Sequence, residues 1–322
     1  MRTLKRYSQT WQLDRPFVIA RGASTSIDVV RVEIHQEGYI GIGESKPTPR
    51  YGHTLESVLT EIDEVAADIE RGIDRDTLLE RLPAGPARNA LDCALWSLEC
   101  AMEGTTPTGR LGPPKGREIV TAHTISIATV QEMAEATRRE LSQGAQLLKI
   151  KLNGEEVVAR VRAVREAAPQ ARIIIDANEA WSAEHVEEYC QALAALNVEM
   201  IEQPLPAGED AILAEFDHPV PICADESCHT RTDVMALKDR YDMINIKLDK
   251  SGGLTEALAM VDAAHKHDMA IMVGCMLGTS LAMRAALPVA AQASIVDLDG
   301  PIWLSKDDEP ALDYRHGWVR ER

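Results

Sequence analysis

The sequence predicts an α/β protein, a (β/α) barrel of the TIM type preceded by a small α+β domain. Three observations carry this reading. From about residue 118, short apolar or β-branched runs alternate with longer amphipathic stretches. Eight such runs recur every ~20–30 residues, the number and spacing that a barrel requires. Before that point the pattern differs, with alternating runs first and helical periodicity after them.

The opening runs, Thr3–Leu13, Ile27–Gln36 and Tyr39–Glu44, predict an antiparallel set of strands, with Gly38 at the tight connection between the last two. Helices are expected over Leu55–Arg71 and Ala87–Met102. Thr105–Lys115, rich in Gly and Pro, reads as the linker to the barrel. The barrel strands are expected at Val120–Ile127, Leu147–Leu152, Arg172–Asp176, Val198–Gln203, Pro221–Asp225, Met243–Leu248, Ala270–Cys275 and Ser294–Leu298. Amphipathic stretches between them include Val130–Gln143, Glu155–Ala168, Ala183–Leu196 and Leu254–His267. A doubly wound open sheet would share this rhythm; the count of eight and the polar residues at the strand ends favour closure. The tail after Gly300 is expected to pack back on the first domain. The division is therefore 1–112 joined by 301–322 for the cap, and 113–300 for the barrel.

The chain has 322 residues, 45% hydrophobic and 26% charged, with a net charge of -17. Such acidity argues against nucleic acid or an anionic membrane surface as partner. No apolar run approaches the ~20 residues of a membrane span, and Met1–Thr10 lacks an apolar signal core. Six cysteines without a CxxC pair read as reduced thiols of a cytoplasmic protein.

Active sites of such barrels lie at the C-terminal ends of the strands. The third strand runs into Asp176-Ala177-Asn178, the fourth into Glu202-Gln203-Pro204 and the fifth into Asp225-Glu226-Ser227. Neighbouring strands are ~4.8 Å apart, so Asp176, Glu202 and Asp225 can converge. Singly, each acid could cap a helix or pair with a lysine. Three at matching positions repel one another and raise each other's pKa unless a cation lies between them. An all-oxygen donor set selects Mg2+ over Zn2+.

Lys149 and Lys151 share one face of the second strand, while the leucines and isoleucine around them face the helices. Asn245 and Lys247 point inward from the sixth. Strands two and six are four apart in a ring of eight, on opposite walls. A carbon next to a carboxylate is a weak acid. A cation on that carboxylate stabilises the enediolate left when the proton departs. A lysine on one face can take the proton and a lysine on the other can return one, inverting the centre. The acceptor must be neutral, so burial, the metal and a neighbouring cation are expected to lower its pKa. The plainer reading of these lysines is salt bridges to the acids.

The ordered set Lys149-x-Lys151, Asp176-Ala177-Asn178, Glu202-Gln203-Pro204, Asp225-Glu226-Ser227 and Lys247 resembles the enolase superfamily, muconate-lactonising subgroup. Arg88-Asn89-Ala90-Leu91-Asp92-Cys93-Ala94-Leu95-Trp96 in the first domain adds to the likeness, which covers nearly the whole chain. The resemblance implies a modified (β/α)7β barrel under an α+β capping domain. It implies one Mg2+ per subunit on Asp176, Glu202 and Asp225, with Lys151 and Lys247 as the two bases. Within the subgroup, Asp297-Leu298-Asp299 at the last strand is similar to the pair that holds a dipeptide's free amino group in L-Ala-D/L-Glu epimerases. Arg21 resembles the residue that grips the glutamate side chain. Lys149 is placed at the substrate carboxylate, and Thr124 and Cys275 at the pocket wall. The function implied is epimerisation of L-Ala-D-Glu to L-Ala-L-Glu in murein peptide recycling, in the cytoplasm, with a dipeptide as partner and room for a homo-oligomer.

Three readings compete. An N-acylamino acid racemase or o-succinylbenzoate synthase shares the machinery but leaves Asp297 and Asp299 without a cation. A Schiff-base aldolase could use Lys247. A non-catalytic binding protein would have lost one of the five metal and base residues, and all five are present. Tyr51-Gly52-His53 reads as either a mobile lid or a plain turn, and Ser251-Gly252-Gly253 as a turn.

Overall fold

The computed structural model describes residues 2–112 and 116–321. The cap opens on three antiparallel strands in sequence order, Thr3–Ile19, Gly22–Gln36 and Tyr39–Ser45. Gln36 pairs with Tyr39 across Glu37 and Gly38, both at positive φ, the twist a two-residue hairpin needs. The first hairpin is longer than expected. Its strands run past Leu13, with an irregularity between Gln12 and Phe17, and turn only at Ala20-Arg21. The extension is docked, not free: Phe17 packs edge-on against Trp303 at 4.7 Å, and Ile127 N–H donates to Val18 O at 3.3 Å. The tip carrying Arg21 therefore hangs over the barrel mouth.

Helix Pro86–Met102 lies directly on this sheet. A Cβ on Gly41 or Gly43 would overlap the carbonyls of Ala94 or Ala90, so only glycine admits this approach. Val30, Val32 and Ile34 of the sheet, Ile62 of helix Leu55–Arg71, and Leu91 and Leu95 close the cap core. The same helix joins the two halves of the molecule, because Cys93 and Trp96 on its other side pack in the barrel's outer core. The Thr105–Lys115 linker is partly a helix, Pro107–Leu111, started by Thr106 Oγ1 accepting from Gly109 N and by proline in the first turn. Residues 113–115 of that stretch lie outside the described residues.

All eight expected barrel strands are present and parallel in sequence order: Ala122–Ile125, Leu147–Lys151, Arg172–Asp176, Met200–Glu202, Ile222–Ala224, Met243–Ile246, Ala270–Val273 and Ile295–Val296. Between strands eight and one the ring is bridged by a side chain at each level. Leu298 N donates to Thr121 Oγ1 and Thr124 N to Asp299 Oδ2, both at 2.9 Å. The eighth strand leads to a 3-10 turn, Gly300–Trp303, instead of a helix. The barrel is nearly closed and carries an antiparallel cap.

The expected Val120–Ile127 strand is two. Ile119–Val120 pairs with Trp318–Arg320, and only Ala122–Ile125 joins the barrel. The tail thus divides. Leu304 bridges Leu13 and packs with Ile27 and Val29 of the cap, while Asp313–Arg315 and Trp318–Arg320 form a hairpin beside residues 119–120. Strand six stops at Ile246 because Lys247 already starts a short helix, Leu248–Ser251.

The barrel interior is layered. One apolar residue from each strand forms the lower layer: Ala122, Leu147, Ile174, Met200, Cys223, Met243, Met272 and Ile295. Side chains alternate along a strand, so two positions further on, the next inward residues are Thr124, Lys149, Asp176, Glu202, Asp225, Asn245, Gly274 and Asp297. A hydrophobic plug therefore supports a ring that is polar at seven of eight positions.

Candidate active site

Above this ring lies a cavity of about 490 Å3, lined by Thr124, Lys149, Lys151, Asp225, Lys247, Cys275, Asp297 and Asp299 from the barrel and Arg21 from the hairpin tip. Asp176 and Glu202 do not line it; both are 0% exposed and connect to it through Lys149.

The three strand-end acids stand at neighbouring positions on adjacent strands. Strand pairing sets Asp176 opposite Glu202, and Glu202 opposite Cys223, two residues before Asp225. Among the described residues, no three His, Cys, Asp or Glu side chains stand grouped as a ready metal cage. Ammonium groups join them instead. Lys149 Nζ lies 2.6 Å from Glu202 Oε2 and 3.1 Å from Asp176 Oδ2. Lys247 Nζ lies 2.6 Å from Asp225 Oδ2 and 3.7 Å from Glu202 Oε1. Lys151 Nζ lies 2.5 Å from Asp176 Oδ2.

This pairing corrects two expectations about charge. Mutual repulsion was expected to raise all three acids. Burial and Asp176 do raise Glu202. Burial would also raise Asp176 and Asp225, but Lys151 and Lys149 outweigh it at the first, and Lys247 and Lys250 at the second, so both fall below the usual range. The accepting lysine was expected to be lowered by burial, the metal and a neighbouring cation such as Lys149. Burial acts in that direction, yet Asp297, Glu202 and Asp176 lift Lys149 well above the ordinary range, and Asp225 and Glu202 do the same for Lys247.

Asp297 is not separate from the acid group, as the sequence suggested. Lys149 spans the narrow ring and reaches Asp297 Oδ2 at 2.7 Å, leaving Asp297 Oδ1 buried without a hydrogen bond. Asp299 accepts from Thr124 N at 2.9 Å and Trp303 Nε1 at 3.2 Å, and burial with Asp297 beside it raises its pKa. Arg21, expected to await a substrate carboxylate, donates to Glu226 Oε1 at 2.9 Å and Asn178 O at 3.1 Å, and lies 3.2 Å from Glu179 Oε2. Cys275 lines the cavity with burial pushing its thiol well up.

The strand ends are held in unusual backbone conformations. Asn178, Glu179 and Gln203 have positive φ. Asn178 N donates to Asp176 Oδ1, and Gln203 Oε1 accepts from Asp225 N, both at 2.9 Å. Asn245 Nδ2 donates to Glu202 Oε1 at 2.8 Å. Gly274 is glycine for space, since a Cβ would stand 2.7 Å from Asn245 Oδ1. Two buried residues were not assigned from sequence. Glu226 is pushed up to about 7 by burial and by Asp225 and Asp176. Lys250 donates to the carbonyls of Asp225, Cys228 and Asn245. The adjacency of Glu226 to Asp225 was the available signal for the first; no periodicity marks the second.

Adjacent strands that each end in a buried acid, flanked by lysines on facing walls and roofed by an antiparallel cap, define an enolase-type barrel. Residues 132–320 match the family described as enolase C-terminal domain-like, and residues 1–107 match the mandelate racemase / muconate lactonizing enzyme N-terminal domain. The chain belongs to the mandelate racemase / muconate lactonizing enzyme family of the enolase superfamily. It is 50% identical over 317 residues to the L-Ala-D/L-Glu epimerase of Escherichia coli K12, covering 98% of this chain and 99% of that one. An enolase family member from Agrobacterium tumefaciens with homology to dipeptide epimerases, solved with bound sodium and L-Ala-L-Glu, superimposes with a TM-score of 0.96 at 46% identity over 100% of this chain and 98% of that one. The dipeptide epimerase of Cytophaga hutchinsonii, complexed with Mg and D-Ala-L-Val, gives 0.92 at 28% identity over 99% and 93%.

Proposed function

We propose that this chain is a Mg2+-dependent dipeptide epimerase that inverts the α-carbon of the substrate's C-terminal residue, interconverting L-Ala-D-Glu and L-Ala-L-Glu. One observation carries the reading: Lys151, at the end of strand two, and Lys247, just past strand six, line the same cavity as Asp297 and Asp299, just past strand eight. The named relatives support the reaction class.

Asp176, Glu202 and Asp225 would hold the ion. Their donors are all oxygen and fully buried, and single ammonium groups already touch two of them at once. Bound there, Mg2+ supplies the positive charge that stabilises a carboxylate-bearing carbon as its proton leaves. Lys149 grips the substrate carboxylate. Lys151 and Lys247 face that carbon from opposite walls, so one removes the proton and the other delivers one to the far side. The amine that removes the proton must be neutral and the amine that delivers one must be protonated, so only the acceptor has to give up its proton and its carboxylate partner first. With Asp225 and Glu202 neutralised by a bound cation, burial and Lys149 would draw Lys247 down, opposed by Asp176. Asp297 and Asp299 take the substrate ammonium, Thr124 and Cys275 shape the wall, and Arg21 closes over the glutamate side chain after leaving Glu226 and Glu179. The cap would comprise 1–112 and the barrel 113–300, with the tail returning to the cap around Leu304 and its closing hairpin packing on the barrel side. The setting we propose is murein peptide recycling in the cytoplasm.

The test is exchange from D2O into L-Ala-L-Glu and other dipeptides, followed by mass spectrometry. Deuterium should enter one position and both epimers should appear. Exchange into N-acyl amino acids but into no dipeptide would overturn the substrate assignment.

A further inference from the structure

Six cationic side chains line the cavity: Lys149, Lys151, Lys247, Arg21, Arg50 and Lys46. Five are held by carboxylates. The three barrel lysines pair with the acids of the ring, Arg21 with Glu226 and Glu179, and Arg50 with Glu179 at 2.7 Å. Lys46 differs. Among the described residues, its ammonium has no carboxylate within 4.0 Å and no hydrogen-bond acceptor.

The contrast with its main chain is sharp. Lys46 N–H donates to Asp249 Oδ1 at 2.9 Å, two residues beyond Lys247, so the backbone that launches the side chain is tied to the barrel. Lys46 follows cap strand Tyr39–Ser45, and the chain continues to Arg50 and Tyr51 on the same wall. A half-buried ammonium without a partner carries a desolvation cost, and burial lowers its pKa against the pull of Asp249 and Asp28. An anion arriving in the cavity would remove that cost. To take the same anion, Arg21 would first have to leave two acids.

We propose that Lys46 receives the distal carboxylate of an acidic C-terminal residue in the dipeptide first, with Arg21 joining only after leaving its acids, and so sets the preference for acidic over neutral substrates. This rests on the dipeptide epimerase reading above and names a specificity residue within it.

The experiment compares kcat/KM for L-Ala-L-Glu with that for the isosteric neutral L-Ala-L-Gln, in the unsubstituted protein, Lys46→Met and Lys46→Arg. The ratio should fall about tenfold or more in Lys46→Met, chiefly through KM for L-Ala-L-Glu. It should be largely restored in Lys46→Arg. An equal loss on both dipeptides, or no change on either, overturns the assignment of Lys46 and leaves the epimerase reading standing. No turnover of any dipeptide by the unsubstituted protein overturns both.

Discussion

Lys250 sets its ammonium 2.6 Å from Oδ1 of Asp225, just past the end of the fifth strand. The same ammonium donates to Cys228 O at 2.8 Å and Asn245 O at 3.1 Å. Asp225 is thus held by Lys250 on one oxygen and by Lys247 on the other. Lys250→Met removes a buried charge and a shared donor. It should cost about 3–5 kcal/mol of stability in urea unfolding. It should also cost about tenfold to a hundredfold in activity, because the carboxylate loses its orientation. Stability lost with activity unchanged would show that Lys250 serves the fold alone.

Lys151→Ala and Lys247→Ala should each abolish epimerisation, with losses on the order of a thousandfold or more. Because each amine faces one side of the carbon, one variant should still exchange the α-proton of a single epimer. Equal exchange of both epimers in either variant contradicts the two-base scheme.

The oxygen-only donor set makes activity sensitive to chelation. EDTA should remove activity and Mg2+ should restore it, while borohydride with substrate should leave Lys247 unmodified. Trapping of Lys247, with activity indifferent to EDTA, would favour Schiff-base chemistry instead.

Asp92, on the cap helix, accepts from Thr255 N at 3.0 Å and Thr255 Oγ1 at 2.6 Å at the start of barrel helix Leu254–Lys266. Burial pushes its pKa up to about 6 despite these bonds. A raised carboxyl favours the folded state fully below its unfolded value of about 4, and that contribution fades as pH rises through about 6. The loss is at most about 3 kcal/mol. Urea midpoints should therefore decline between about pH 4 and 6, and Asp92→Asn should flatten that decline while lowering the plateau. An unchanged slope in the variant would show that Asp92 is ionised throughout.

Much of this site was legible because side-chain alternation is a local property. Leu148-Lys149-Ile150-Lys151 puts both lysines inside once the flanking apolar residues face the helices, and Leu148, Ile150 and Leu152 do pack in the outer core. Asp176, Glu202 and Asp225 follow the same rule at three strand ends. Other elements were hidden. Helix Ser280–Ala290 contains Pro288 and is buried along much of its length, so it shows no clean polar face. The hairpin extension beyond Leu13 is stabilised by Trp303 and the Ile127–Val18 bond, contacts made more than 100 residues away.

The chain by itself specified the eight strands, their inward residues and the cap, since each follows from periodicity and turn chemistry within a short segment. Which ammonium meets which carboxylate was decided only on folding. Lys149 spans from Glu202 to Asp297 because the ring is narrow, Lys250 finds Asp225 because a helical turn follows Lys247, and Lys46 lines the cavity because the cap docks over the mouth. Electrostatic partners are set by distance through space, and those distances exist only once the ring has closed.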